Sequence, residues 1–136
     1  MVTVKMIALG DFRTKSVHIN SGTQIMTDAP IDNQGKGENF SPTDLLCTSL
    51  GACMITIMDI AGREHGFSID GTELNITKIM SENPRKVAEI ILELSFPKVE
   101  YSIKIKKIIE FTTKNCPVAL SLNPDIKQTI ILNYGN

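Results

Sequence analysis

The stretch Ser41 to Gly66, SPTDLLCTSLGACMITIMDIAGREHG, constrains this chain more than any other, because it carries start and stop signals for one long helix. Ser41 is a favourable N-cap, Pro42 suits the first helical position, and Asp44 stands three residues after the cap, as in a capping box, with its carboxylate at the positive helix end. At the other end Arg63 and His65 place cations in the last turn, and Gly66 is suited to the left-handed conformation that closes a helix.

Between these limits Leu46, Leu50, Cys53, Ile57 and Ile60 recur at intervals of three and four, while Met54, Met58 and Ala61 widen the apolar surface beyond one stripe. At 1.5 Å per residue the helix is about 36 Å long, so the rest of the chain must wrap around it. One small sheet covers one face of a helix. The remaining apolar surface therefore calls for more helices or a second subunit, which points to a homodimer.

With 136 residues, 42% of them apolar, the chain has enough material for one cored domain spanning 1–136. A net charge of −1 gives no basic footprint for nucleic acid. No uninterrupted apolar run approaches the roughly 18 residues that span a bilayer, and the N-terminus MVTVKMIALGDF lacks the organisation of a signal peptide. These features read as a cytoplasmic protein with no membrane partner. Three cysteines, an odd number, argue against a structural disulfide framework and leave core or redox roles open.

Before the helix, Val2 to Ala8 alternates, Gly10-Asp11 signals a turn, Ser16 to Asn20 alternates again, and Thr23 to Asp28 follows a second turn at Asn20-Ser21-Gly22. This is a three-stranded meander. Ala29 to Phe40 reads as a long loop of the functional or mobile kind. After the helix, Phe67 to Met80 reads as a strand with Gly71 as its bulge, and Asn83-Pro84 turns it into a second strand, Val87 to Phe96, with Ile90, Leu92, Leu94 and Phe96 on one face. Ser102 to Lys114 has an amphipathic helical pattern with its lysines on a solvated face. A short helical turn, Val118 to Leu122, and a strand from Lys127 to Tyr134 close the chain. The order is βββαββααβ, an α+β fold.

Cys116 precedes Pro117 at a helix start, where unpaired N–H groups and the helix dipole favour thiolate. Cys53 lies on the apolar stripe of the long helix, where burial favours the neutral, inert thiol unless a cation is supplied. Each is equally explained as a core residue, since unpaired cysteine is among the most buried residue types. Cys47 lies about 9 Å from Cys53 along the helix axis and on another face, too far for a disulfide between the two. There is no CxxC pair, and His18 and His65 have no metal-ligand spacing, so neither a thioredoxin-like motif nor a metal site is expected. His18 is expected to face solvent, and His65 to be explained by the helix C-terminus. Gly35-Lys36-Gly37 lacks the phosphate-loop pattern, and neither Ser41 nor Ser49 has the surroundings of a serine nucleophile.

The run Ser41-Pro42-Thr43-Asp44-Leu45-Leu46 into Leu50-Gly51-Ala52-Cys53, with Cys116-Pro117-Val118 later in the chain, resembles the OsmC/Ohr family of osmotically inducible and organic hydroperoxide resistance proteins, in its less characterised OsmC-like branch. The resemblance covers nearly the whole chain. It implies an intertwined homodimer with packed central helices, and a thiol-dependent peroxidase that reduces organic hydroperoxides with no metal or bound cofactor. Cys53 would be the peroxidatic residue and Cys116 the resolving one, passing through a sulfenic acid and a Cys53–Cys116 disulfide. An external dithiol would reduce that disulfide, lipoyl proteins being the partner the family implies.

One departure bears on activity. Active members of the family carry a glutamate at the third position of the Ser/Asn-Pro-Glu motif, where it orients an arginine, and this chain has Thr43 there. Asp44 is one residue later and about 100° round the helix, so it stands either as that carboxylate's substitute or as a cap. Arg13 is the candidate activating cation, with an ordinary surface arginine as the alternative. The competing functional expectation is a dimer of the same fold that binds a small molecule or acyl ligand without efficient peroxidase turnover.

Overall fold

The computed structural model describes residues 1–135. The elements follow the expected βββαββααβ order, and the chain forms two compact units, one ending at Leu46 and the other beginning at Cys47.

In the first unit β1 (Val4–Gly10), β2 (Arg13–His18) and β3 (Gln24–Asp28) form an antiparallel sheet in the order β1-β2-β3. The β1–β2 hairpin turns through Asp11 and Phe12, both at positive φ (53° and 62°). This is the backbone hand that matches strand twist in a two-residue hairpin, and it starts β2 at Arg13, earlier than the alternation of Ser16 to Asn20 suggests. His18 is exposed, as its outward strand position predicts, and its Nδ1 lies 2.6 Å from the Ser21 hydroxyl.

The loop after β3 is held by its own backbone. Asn33 and Gly35 both donate to the Pro30 carbonyl, and the Asp28 amide donates to that of Phe40. Gly35 admits no side chain, because a Cβ there would sit 1.6 Å from the Ala29 carbonyl oxygen.

Helix α1 (Pro42–His65) begins in the first unit and continues into the second. Its N-terminus is a reciprocal capping box: the Asp44 amide donates to Ser41 Oγ at 3.0 Å, and the Ser41 amide donates to Asp44 Oδ2 at 2.9 Å. At its C-terminus Gly66 takes φ +78°, and both Gly66 and Phe67 donate to the Gly62 carbonyl.

The second unit has a sheet in the order β4-β5-β6, from β4 (Glu73–Ser81), β5 (Lys86–Ser95) and β6 (Lys127–Asn133). β4 and β5 form an antiparallel hairpin, whereas β6 runs parallel to β5. A parallel return needs a long crossover. Here it contains α2 (Ile103–Lys114) and α3 (Pro117–Ser121). The expected apolar face of β5 is buried through Ile90, Leu92 and Leu94, with Phe96 following. Gly71, expected to be a bulge, instead sits in the turn before β4 at φ +87°, and the irregularity in β4 falls between Ile79 and Met80.

The face that α1 buries also differs from expectation. Cys47, Leu50, Gly51, Met54, Met58, Ala61 and Gly62 are buried, while Cys53 and Ile57 are half-buried and Ile60 is exposed. Two glycines account for this choice. A Cβ on Gly51 would come within 2.6 Å of Ile76 Cδ1 and 2.9 Å of Leu74 Cδ2, so the missing side chain lets the helix approach β4 closely. A Cβ on Gly62 would lie 2.5 Å from the Phe67 carbonyl oxygen.

Counting uninterrupted apolar runs also understates this helix. An 18-residue window within it has a mean hydropathy of 1.7, enough by length and composition to cross a membrane. A third of that window is buried within the chain, and Gly51 packs it closely on β4.

Candidate active site

Cys116 follows α2 and caps α3. Asn115 ends α2, Pro117 opens α3 with φ already suited to the first helical position, and the Cys116 sulfur accepts the Ala119 N–H at 3.4 Å. The residue is fully buried. The thiol of Cys53, carried on the half-buried face of α1, is the neighbouring group that influences its titration.

The helix start does not make Cys116 a thiolate. Burial pushes its thiol up from the ordinary value, the Ala119 and Val118 amides pull the other way, and the adjacent Cys53 pushes it further up. Desolvation of a fully buried sulfur outweighs two amide hydrogen bonds here, so Cys116 holds its proton at neutral pH. Cys47 is buried on another side of α1.

Arg13 is gripped rather than free. Its Nε donates to Asp28 Oδ1 at 2.6 Å and its Nη2 to Asp28 Oδ2 at 3.0 Å, a fork in which the guanidinium plane is fixed. The same Nη2 donates to Glu38 Oε1 at 3.0 Å. Asp28 is 1% exposed, and its Oδ2 also accepts from the Glu38 and Asn39 amides and from the Asn39 side chain. The Arg13 guanidinium, with Asn39 assisting, overcomes the cost of burial and holds the Asp28 carboxyl well below the usual carboxylate range.

Of the four residues singled out in the sequence, Cys53 and Cys116 come together within the second unit. Arg13 and Asp44 belong to the first, where Asp44 makes the reciprocal cap and Arg13 pairs with Asp28 and Glu38. Sequence reasoning missed Asp28 and Glu38. A signal was available for Asp28: an acidic residue ends a short strand in a meander where a hairpin must bring it opposite Arg13, and the two are paired in register.

A family model described as OsmC-like protein matches residues 35–130, a range that runs across the boundary between the two units. The chain belongs to the OsmC family. A crystal structure from Psychrobacter arcticus 273-4, described as an osmotic stress induced and detoxification response protein, is 47% identical with a TM-score of 0.93, covering 98% of this chain and 96% of that one. An OsmC-like protein from Mycoplasma pneumoniae shares the fold at 21% identity and TM-score 0.79, with 96% of this chain and 94% of that one covered. So does an organic hydroperoxide resistance protein from Legionella pneumophila, at 12% identity and TM-score 0.70, with 98% of each chain covered. No curated protein sequence matches the chain. The Thr43 hydroxyl lies 3.2 Å from that of Ser41.

Proposed function

We propose that this OsmC protein is a thiol-dependent peroxidase that reduces organic hydroperoxides through Cys53 and Cys116. The observation that carries the reading is the adjacency of these two thiols, one half-buried on a helix and the other buried and held protonated.

The steps follow from that asymmetry. The Cys53 thiolate attacks the terminal peroxide oxygen, the O–O bond breaks, and the departing alkoxide takes a proton to leave as an alcohol. Cys53 is left as the sulfenic acid. The Cys116 sulfur then attacks Cys53 Sγ, forming the disulfide, while the sulfenic hydroxyl leaves as water with the proton that Cys116 had kept. An external dithiol, a lipoyl group by the family resemblance, exchanges with the disulfide and takes away the two oxidising equivalents. Within this reading the enzyme works in the cytoplasm as a homodimer. By the family resemblance Arg13 is the activating cation, with Asp28 and Glu38 in the orienting role the family gives to its glutamate. Asp44 acts as a cap.

The test is peptide mapping after one equivalent of cumene hydroperoxide. The expected product joins Cys53 to Cys116 and leaves Cys47 as a free thiol. Cys53→Ser should reduce peroxide consumption to background, and Cys116→Ser should stop at a sulfenic acid that dimedone traps. Arg13→Ala should slow the first step, and Asp44→Asn, which still caps a helix, should not. A bridge containing Cys47, or full turnover by Cys53→Ser, would overturn the assignment.

A further inference from the structure

Helix α2 buries one side and leaves a second apolar side in solvent. Ile109, Thr112 and Thr113 are buried, whereas Ile103 and Phe111 are 76% and 68% exposed. Ile103, Lys107 and Phe111 follow one another at intervals of four, and Lys104 and Ile108 form the adjoining row, so all five share a face. With His65 from the last turn of α1 they line an open groove of about 520 Å³.

The lining has a definite chemical order. Ile103, Ile108 and Phe111 supply an apolar floor, Lys104 and Lys107 supply ammonium heads, His65 adds a polar ring, and among the described residues no carboxylate lines the groove. Elsewhere in this unit Lys86 and Lys127 lie near Asp125 and Glu89, and Lys106 lies over the Tyr134 ring. Among the described residues Lys104 and Lys107 have no such carboxylate partner. Unpaired ammonium groups flanking exposed large apolar side chains complement one kind of molecule, an anion with a hydrocarbon tail.

We propose that this groove binds a single-chain amphiphile with a carboxylate head, of the fatty-acid class. The tail lies on Ile103, Ile108 and Phe111, and the head sits between Lys104 and Lys107. The groove is within the size range of small-molecule sites. A lipid surface is the other occupant that a basic amphipathic helix can suit. It is disfavoured because α2 is only 12 residues long and already commits Ile109, Thr112 and Thr113 to the interior, leaving a narrow strip to insert. No cysteine lines the groove, so its occupancy is separable from the peroxidase reading.

The test is calorimetric titration with sodium dodecanoate below micelle formation. The expected result is saturable binding of one dodecanoate per chain, weakened at least tenfold in Lys104→Glu/Lys107→Glu and in Phe111→Ser. Dodecyltrimethylammonium, with the same tail and the opposite charge, should not bind there, and Cys53→Ser should bind dodecanoate as the wild type does. Both lysines are exposed, and circular dichroism checks the fold of each variant; if the double variant misfolds, Phe111→Ser decides alone. The proposal is overturned by absence of saturable binding, by equal affinity in the variants, or by equal binding of the cationic amphiphile. It is also overturned if phosphatidylglycerol vesicles bind and free dodecanoate does not, or if the lysine double variant changes the molecular mass in solution, which would make this face a contact between copies.

Discussion

Asp28 holds Arg13 with both carboxylate oxygens while three N–H donors from Glu38 and Asn39 close around one of them, and the Asp28 side chain is 1% exposed to water. Such an arrangement favours the charged carboxylate in the folded state. Its contribution to stability is therefore fully present above the unfolded aspartate pKa of about 3.9, and is lost as pH falls below that value toward the lower folded one. The urea midpoint of the wild type should drop more steeply below about pH 4 than that of Asp28→Asn, which has no carboxylate to protonate there. Parallel curves would show that the fork does not stabilise the fold. The fork also marks where the sequence stops being legible. Arg13 stands out by resemblance, but its partner is chosen by the register of β2 against β3, and the Asn20-Ser21-Gly22 signal marks that turn without fixing which residues end up opposite one another.

The elements themselves were largely visible from caps and periodicity. Ser41, Asp44 and Gly66 delimit α1 where their chemistry predicts, and the β5 alternation buries the residues it points inward. The face of α1 was not visible, because Cys53 and Ile57 on one side and Met54 and Met58 on the other are equally apolar. Periodicity cannot choose between two apolar stripes. The deciding signal was Gly51 and Gly62, eleven residues or about three turns apart, and therefore on one side of the helix. Both should resist alanine, by different amounts. At Gly51 the new methyl meets flexible side-chain ends, and a helix-propensity gain of about 1 kcal/mol offsets part of an overpacking cost of roughly 1–3 kcal/mol. At Gly62 it meets the Phe67 carbonyl, which the helix-ending hydrogen bonds hold in place. Urea denaturation should show Gly62→Ala losing at least about 1 kcal/mol more than Gly51→Ala. Equal losses would mean that the turn after α1 yields as readily as a side chain.

At the scale of the molecule, apolar surface exceeds what one chain covers. Ile60 on α1 is 51% exposed, and Met6, Ile7, Leu9 and Phe12 of the first hairpin are exposed as well. A second copy would account for both. Light scattering at micromolar concentration should give twice the 15.0 kDa chain mass, and a monomer would remove that explanation. The parallel placement of β6 gave no sign in the sequence, since a strand's alternation does not report its direction, yet the crossover it requires is what carries Cys116. Cys116 thus lies 63 residues along the chain from Cys53 while neighbouring it in space. A bond between them would tie off a long loop and remove configurational freedom from the unfolded chain worth about 4 kcal/mol. Each catalytic cycle would then alternate a stiffer protein with a looser one. The oxidised form should melt at a higher temperature than the reduced form, and the reductant would act on the more rigid of the two. Thermal stability would then report redox state without any turnover measurement, and coincident melting curves would show that the tie does not form.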